Sequence, residues 1–353
     1  MVDSILPTND PSVYDVVIIG AGLSGLTCAR TLQQQGCRVI ILDKSRGVGG
    51  RVATRRFERI PLDHGLPALE IQGLNTENLI QLLQQAKILQ PWQARIYELD
   101  ANDHLQESNY RKRYIANAGI TAIAKYLATD LAIYKQCGVT SLKIEKNCSW
   151  EITYHSNNKF AHIYSKKLVI AIPAPQTATL LTPLSKQLPL DFLAQLQSVT
   201  FAPCIAVMAE YDRKYLAQLP SWQGVNLKSH SDLAWIALDS SKRQQPTKPV
   251  FVLHSTPQLA QNHLETSDLS PIGTSLLQTA ASLLLPWLNS PQKLQVHRWR
   301  YAIPQQHLAI PYLGTNTPLP LVCCGDWCQG NNVESALTSG LLAGNFIYQQ
   351  IKD

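Results

Sequence analysis

Three glycines in one short loop set the first chemical constraint. Gly20, Gly22 and Gly25 fall in a GxGxxG pattern, Gly20-Ala21-Gly22-Leu23-Ser24-Gly25. The loop follows an apolar run, Val16–Ile19, and precedes a stretch with helical periodicity. That context suits the pyrophosphate of a dinucleotide. Gly20 makes the tight turn, Gly22 lets the backbone approach phosphate, and Gly25 lets helix and strand pack closely. Leu23 and Ser24 open the helix, where free N–H groups and the dipole favour an anion. Asp43 ends the next apolar run, about 20 residues on, where a carboxylate meets ribose hydroxyls. Asp43-Lys44-Ser45-Arg46-Gly47-Val48-Gly49-Gly50-Arg51 then adds a second glycine cluster. Such a cluster lets the chain wrap a long cofactor, and Arg46 or Arg51 can neutralise phosphate charge.

The elements that must position these residues read as a βαβ unit. The pattern predicts a strand Val16–Ile19, a helix Ser24–Gln35 stopped by Gly36, and a strand Val39–Leu42. Further helices are predicted at Thr76–Gln90 and Gly119–Leu131. Four short strands follow, at Ser141–Glu145, Trp150–Tyr154, Phe160–Tyr164 and Lys167–Ile172. Strands at Cys204–Tyr211, Leu233–Leu238, Val250–Ser255 and Leu294–Tyr301 flank a helix Pro271–Leu288. A strand Leu319–Cys324, a Gly325-Asp326 turn and a helix Val333–Ile351 close the chain. This order predicts an α/β fold: a Rossmann-type domain built from both chain ends, with a mixed-sheet α+β domain inserted. The expected division is 1–64, 116–190 and 295–353 for the first, and 65–115 and 191–294 for the second.

Composition narrows the class. With 45% hydrophobic and 16% charged residues over 353 positions, the chain can enclose a cofactor in a real core. A net charge of +6 from scattered Lys and Arg gives no nucleic-acid footprint. The eight cysteines form no CxxC pair and, with the nine histidines, no metal-ligand spacing, so no metal is expected. Free thiols in a reducing compartment are expected instead. Met1–Ser12 lacks the basic and apolar regions of a signal peptide, and no run reaches membrane-spanning length. The expectation is a cytoplasmic protein with no membrane or nucleic-acid partner.

The chain resembles the flavin amine oxidase superfamily, and within it the renalase-like branch. The stretches that carry the resemblance are the GAGLSG loop, the Asp43–Arg51 segment and Leu62-Asp63-His64-Gly65. Arg113-Tyr114-Ile115-Ala116 follows, leading into Gly119–Ala124, and then Trp235–Lys242. Late in the chain come His297-Arg298-Trp299-Arg300-Tyr301-Ala302 and Cys324–Gly340. The resemblance implies non-covalent FAD and an amine oxidase or p-hydroxybenzoate hydroxylase-like architecture. It places Asp326 of Gly325-Asp326 on the ribitol hydroxyls and Val139 among the cofactor-binding residues. It also implies that Asn332, Val333 and Ala336 bring a helix N-terminus against the flavin N1 edge. A helix N-terminus there stabilises the negative charge of reduced flavin.

Flavin chemistry needs a donor carbon held over N5 in a dry pocket more than it needs an acid or base. His64, Trp235, His297, Trp299 and Tyr301 are the residues expected to line that pocket, with Trp327 a further candidate. Arg298 and Arg300 alternate with His297 and Trp299, so one pair faces inward. Lys242 reads as a turn lysine on the surface or as a contact for an anionic substrate group. Cys328 reads as a buried, unreactive thiol rather than a covalent flavin link. One departure stands out: Leu66-Pro67-Ala68-Leu69-Glu70, after Asp63-His64-Gly65, holds no aromatic residue. By resemblance the substrates are small molecules, the 2- and 6-dihydro forms of NAD(P), with O2 as oxidant and hydrogen peroxide as product. The alternatives are an amine oxidase and a non-catalytic FAD-binding redox sensor.

Overall fold

The computed structural model describes residues 14–109 and 111–352; the reading of Met1–Ser12 lies outside the described residues. Its centre is a six-stranded sheet. The spatial order is Ala132–Lys135, Val39–Asp43, Val16–Ile19, Lys167–Ile170, Leu321–Cys323, Leu313–Thr315. The first five strands run parallel and the last is antiparallel. Both chain ends therefore contribute strands to one sheet, on either side of Lys167–Ile170.

Period-two alternation explains why this sheet is buried on both faces. Val16 and Ile18 join one core, against helices Leu23–Gln34, Leu74–Gln85, Thr121–Leu127 and Val333–Lys352. Val17 and Ile19 join the other, against a three-stranded sheet, Gly138–Ile144, Trp150–Ser156 and Lys159–Ser165. Cys323 and Cys324 divide between the same two cores, as expected for adjacent strand residues. Among the described residues no helix is long and apolar enough to cross a membrane. All eight cysteines are free, and six are buried: Cys28, Cys37, Cys137, Cys323, Cys324 and Cys328.

A seven-stranded sheet forms the second centre. Its order is Lys293–Gln306, Thr200–Glu210, Val250–Ser255, Leu233–Leu238, Gly224–Leu227, Ile96–Leu99, Leu105–Glu107. Ile205, Val207 and Ala209 point to one face, under helix Ser270–Leu283. Met208, on the other face, packs on Phe57 and Leu62 of the hairpin Thr54–Phe57 and Ile60–Asp63. The expected boundary at residue 295 falls inside strand Lys293–Gln306, which is hydrogen-bonded along Thr200–Glu210.

Several helices are shorter than the periodicity predicts. Leu74–Gln85 ends where Lys87 adopts φ 57°. Thr121–Leu127 starts only after Gly119, which turns at φ 97°. Ser270–Leu283 gives way to a 3-10 turn at Pro286–Asn289, because Pro286 cannot donate to the helix. The hairpin at 54–63 and the strands Gly224–Leu227 and Ile96–Leu99 carried no recognised signal. They are short, and Arg55, Arg56 and Asn226 interrupt any apolar alternation.

Candidate functional site

The glycine loop is built by backbone contacts. Gly20 turns at φ 106°, and its N–H donates to the Leu42 carbonyl at 2.8 Å. A Cβ at Gly25 would lie 2.0 Å from the Gly20 carbonyl oxygen. At Gly22 an added Cβ would meet nothing within 4 Å. That open space lies at the start of helix Leu23–Gln34, which has no side-chain cap and no acidic residue in its first turn. Uncapped N–H groups facing free space are what a pyrophosphate needs. The second glycine cluster reaches the same loop: Gly49 N–H donates to the Ala21 carbonyl at 2.8 Å, and Gly49 bridges to Gly22.

Asp43 ends its strand with one carboxylate oxygen accepting from Ala21 N–H at 2.6 Å and the other from Ser45 N–H at 2.7 Å. Each oxygen keeps a lone pair for a hydroxyl. Lys44, Arg46 and Gly50 are exposed beside it. The chain at residue 137 folds back here, with Cys137 N–H on the Asp43 carbonyl at 2.8 Å. Val139 is thereby brought near this edge, half-buried.

Helix Val333–Lys352 packs directly on helix Leu23–Gln34. A Cβ at Gly340 would lie 2.2 Å from the Ser24 carbonyl oxygen, so the start of the first helix packs against the second about two turns in. Asn332 caps the second helix through Oδ1, which accepts from Ser335 N–H at 2.9 Å. Val333 is buried and Ala336 half-buried. Glu334 turns away and accepts from Asn75 and Thr76 N–H at 3.0 and 2.7 Å, capping helix Leu74–Gln85. Upstream, Arg51 grips Asp326 in a two-pronged ion pair at 2.8 and 2.7 Å and also donates to the Ala302 carbonyl at 3.0 Å. Cys328 is fully buried, which pushes its thiol far above the ordinary value and leaves it inert.

Arg51 leads to the expected pocket residues, because Ala302 lies on the strand that carries His297, Trp299 and Tyr301. His64 N–H donates to the Ala53 carbonyl at 3.2 Å, so residue 64 runs alongside the segment after Arg51. The His64 ring stacks on Trp299, with centroids 5.2 Å apart, and meets His297 edge-on at 5.0 Å. The His64 carbonyl accepts from Trp299 Nε1 at 3.0 Å and from His254 Nε2 at 3.2 Å. Tyr301 touches Phe201, which faces the Arg51 guanidinium. The structure thus brings together His64, His297, Trp299 and Tyr301. Arg298 faces away, donating to the His263 and Thr266 carbonyls, and Arg300 pairs with Glu265.

Trp235 lies further along the same sheet face. Cross-strand partners link Trp235 to His254, His254 to Ala206, and Ala206 to His297. Three strand spacings of about 4.8 Å separate it from His297. Its Nε1 and the His64 Nδ1 are buried without a partner, an arrangement that a bound polar molecule would satisfy. Trp327 is a correction. Its ring is 1% exposed in the core and its Nε1 donates to the Ile172 carbonyl at 3.2 Å.

All three imidazoles are held neutral. Burial, then His297 and Arg55, push His64 down to about 3. Burial pushes His254 down to about 4, and burial followed by Arg55 does the same to His297. Beneath them lies a buried ion quartet that sequence reasoning missed. Lys242, expected on the surface or against an anionic substrate group, is fully buried and contacts Asp239 at 2.5 Å and Asp63 at 3.6 Å. Arg243 contacts the same two carboxylates at 3.1 and 2.8 Å. Burial would raise the Asp63 carboxyl, but Lys242 and Arg243 outweigh it and hold it below its ordinary value. Two charges of each sign make the quartet neutral, which is how such burial is tolerated. Asp63 also accepts from Thr54 Oγ1 at 2.7 Å and Ile120 N–H at 2.8 Å, fixing the segment that carries His64. Two open clefts of about 260 and 380 Å³ lie elsewhere, and neither includes a glycine-loop or wall residue.

Known proteins resemble this chain in sequence and in fold. The family described as "NAD(P)-binding Rossmann-like domain" matches residues 18–86. An L-amino-acid oxidase of Siganus canaliculatus is 44% identical over 62 residues, 14% of this chain and 12% of that protein. Amine oxidase [flavin-containing] A of Bos taurus is 39% identical over 59 residues, 16% of this chain and 11% of that protein. The matches therefore span only a small fraction of these relatives' own length. Wild-type putrescine oxidase bound to putrescine superimposes with a TM-score of 0.68 at 14% identity, covering 95% of this chain and 99% of that one, which shows a shared fold. The glycine cradle, the first turns of the terminal helix and the wall between them fall within two consecutive matches, of which the second, "Flavin containing amine oxidoreductase", runs through residues 98–345; the chain belongs to that family.

Proposed function

We propose that this protein is an FAD-dependent oxidase of a small reduced molecule, of renalase-like type. The observation that carries the reading is Arg51, which joins Asp326 on one side and the His297–Tyr301 strand on the other. Cofactor groups and substrate wall thereby share one locus. Gly20, Gly22, Leu23, Ser24 and Gly25 hold the pyrophosphate, and Asp43 takes the adenosine ribose. Lys44, Arg46, Gly50 and Val139 flank that end. Asp326, oriented by Arg51, takes the ribitol, and Asn332, Val333 and Ala336 form the flavin edge. A bound flavin would supply the redox chemistry: it would take a hydride (two electrons and one proton) from the substrate and return it to O2, which with one further proton from solvent leaves as hydrogen peroxide.

His64, His297, Trp299 and Tyr301 orient the substrate and exclude water, with Trp235 at the far end. A stacked Trp299–His64 pair suits a planar ring, and neutral imidazoles neither repel a cationic product nor demand a charged substrate. The substrate class that fits is the 2- or 6-dihydronicotinamide. The second reading is a primary or secondary amine, favoured by the family match and by the amine oxidase A relative. The two-part division stands as our reading, with its last boundary moved from 295 to the end of strand Lys293–Gln306. The free thiols suit a cytoplasmic setting.

Anaerobic mixing of the FAD-loaded protein with borohydride-generated dihydro-NAD isomers tests this directly. Rapid bleaching of oxidised flavin, reversed by air with peroxide formed, is the expected result. Bleaching by simple amines and not by the isomers replaces the first reading with the second. A loaded protein that neither class reduces is a redox sensor.

A further inference from the structure

Arg55 is a cation at the substrate wall without an acidic counter-ion. It stands on strand Thr54–Phe57, half-buried, and its Nη2 meets His297 Nδ1 at 3.0 Å. No ion pair of Arg55 occurs among the described residues. Glu58, the carboxylate nearest in sequence, pairs with Lys293, and Asp63 is occupied by Lys242 and Arg243. The groups around Arg55 on the wall, His64, His254 and His297, are neutral imidazoles, so its charge is uncompensated there.

The hydrogen bond also fixes a tautomer. A guanidinium offers donors only, so His297 Nδ1 is the acceptor and the ring proton sits on Nε2. Among the described residues that N–H, on the far side of the imidazole, has no partner, and the remaining N–H groups of Arg55 make no hydrogen bond. Beside them, His64 Nδ1 is buried and unpartnered, in a residue only 5% exposed. Unspent donors of Arg55 and His297 and one positive charge thus lie at the wall beside an unpartnered ring nitrogen of His64. Guanidinium and N–H donors arranged this way match the oxygens of a carboxylate or phosphate.

We propose that Arg55 and His297 bind an oxyanion group, carboxylate or phosphate, of the molecule this site oxidises. The proposal rests on the reading of the wall as the substrate pocket and names the charge class it selects. A cationic amine without an acidic group meets Arg55 unfavourably; a substrate that carries one gains a charge-assisted contact.

The test is a titration of the FAD-loaded protein with benzoate and, separately, inorganic phosphate. The flavin difference spectrum and the His297 imidazole NMR signals are followed together. A saturable change in both readouts is expected, weakened about tenfold in Arg55→Gln with flavin content unchanged. Arg55→Lys keeps a point charge without the fork and binds about threefold more weakly; it carries the test if Arg55→Gln does not fold. With any substrate found by anaerobic bleaching, Arg55→Gln raises KM about tenfold and leaves kcat within about twofold. A response to one anion only assigns the group as carboxylate or phosphate. Absence of any anion response, or equal affinity in wild type and Arg55→Lys, overturns the proposal. Bleaching without anion binding removes the Arg55 proposal and leaves the oxidase reading intact. Anion binding without bleaching does the reverse.

Discussion

At the glycine loop the decisive contacts run from backbone to backbone. A methyl group on Gly25 would sit 2.0 Å from the Gly20 carbonyl oxygen, and one on Gly340 would sit 2.2 Å from that of Ser24. At the His64 wall the decisive contacts run between side chains from distant strands. His64, His254 and His297 come from three separate segments and meet through an edge-on ring contact and the His64 carbonyl. A backbone site imposes its requirement on residue type at fixed spacing, since only glycine satisfies it. A side-chain site imposes only that some partner arrive from elsewhere. The first kind is therefore written in consecutive residues and the second is written in sheet register.

The largest expected effect separates structural charge from cofactor binding. Asp63→Asn leaves Lys242 and Arg243 sharing one buried carboxylate and costs about 3–5 kcal/mol, read from the denaturant midpoint. If the wall depended on ring packing alone, the loss would stay below about 1 kcal/mol. Next, Gly25→Ala forces backbone apart at the loop. It costs about 1–3 kcal/mol in stability and weakens FAD binding about tenfold or more, measured by flavin retained on desalting. Asp326→Asn breaks the two-pronged contact with Arg51. It weakens FAD about tenfold with a smaller change in stability, about 1 kcal/mol, because the Arg51 side chain is 34% exposed and partly screened.

The smallest effect is the acid sensitivity of the wall. The folded values of His64, His254 and His297, about 3, 4 and 4, lie below the ordinary 6.5. The unfolded chain takes up protons first as pH falls. Their stability contribution is complete above about pH 6.5 and is lost progressively as pH drops towards 4 and then 3. Denaturation midpoints across that window should fall, and His64→Asn should flatten the slope. An unchanged slope would show that His64 does not enter the folded wall as a neutral ring.

The same contrast explains what was legible in the sequence. Val16–Ile19, Gly20–Gly25, Asp43 and the Gly325-Asp326 turn lie where local pattern put them. His64, His297, Trp299 and Tyr301 were found as members of short motifs, yet nothing local said that they touch. Arg55 and His254 carried no signal, since they reach His297 and His64 only when the hairpin 54–63 lies on strands Val250–Ser255 and Lys293–Gln306. Lys242 was misread because a lysine in a turn is ordinarily exposed; its burial depends on Asp63, remote in sequence. Trp327 was misread because its neighbour Asp326 meets Arg51, while its own ring fills the core.

One paired measurement tests the division between cradle and wall most directly: flavin content and substrate-driven anaerobic bleaching rate, taken on Asp326→Asn and His64→Ala. The account predicts that Asp326→Asn loses FAD while its loaded fraction bleaches at the wild-type rate to within about threefold. His64→Ala should keep its FAD and bleach at least about tenfold more slowly. The reverse pattern, with His64→Ala losing flavin and Asp326→Asn keeping it while bleaching slowly, would contradict the account.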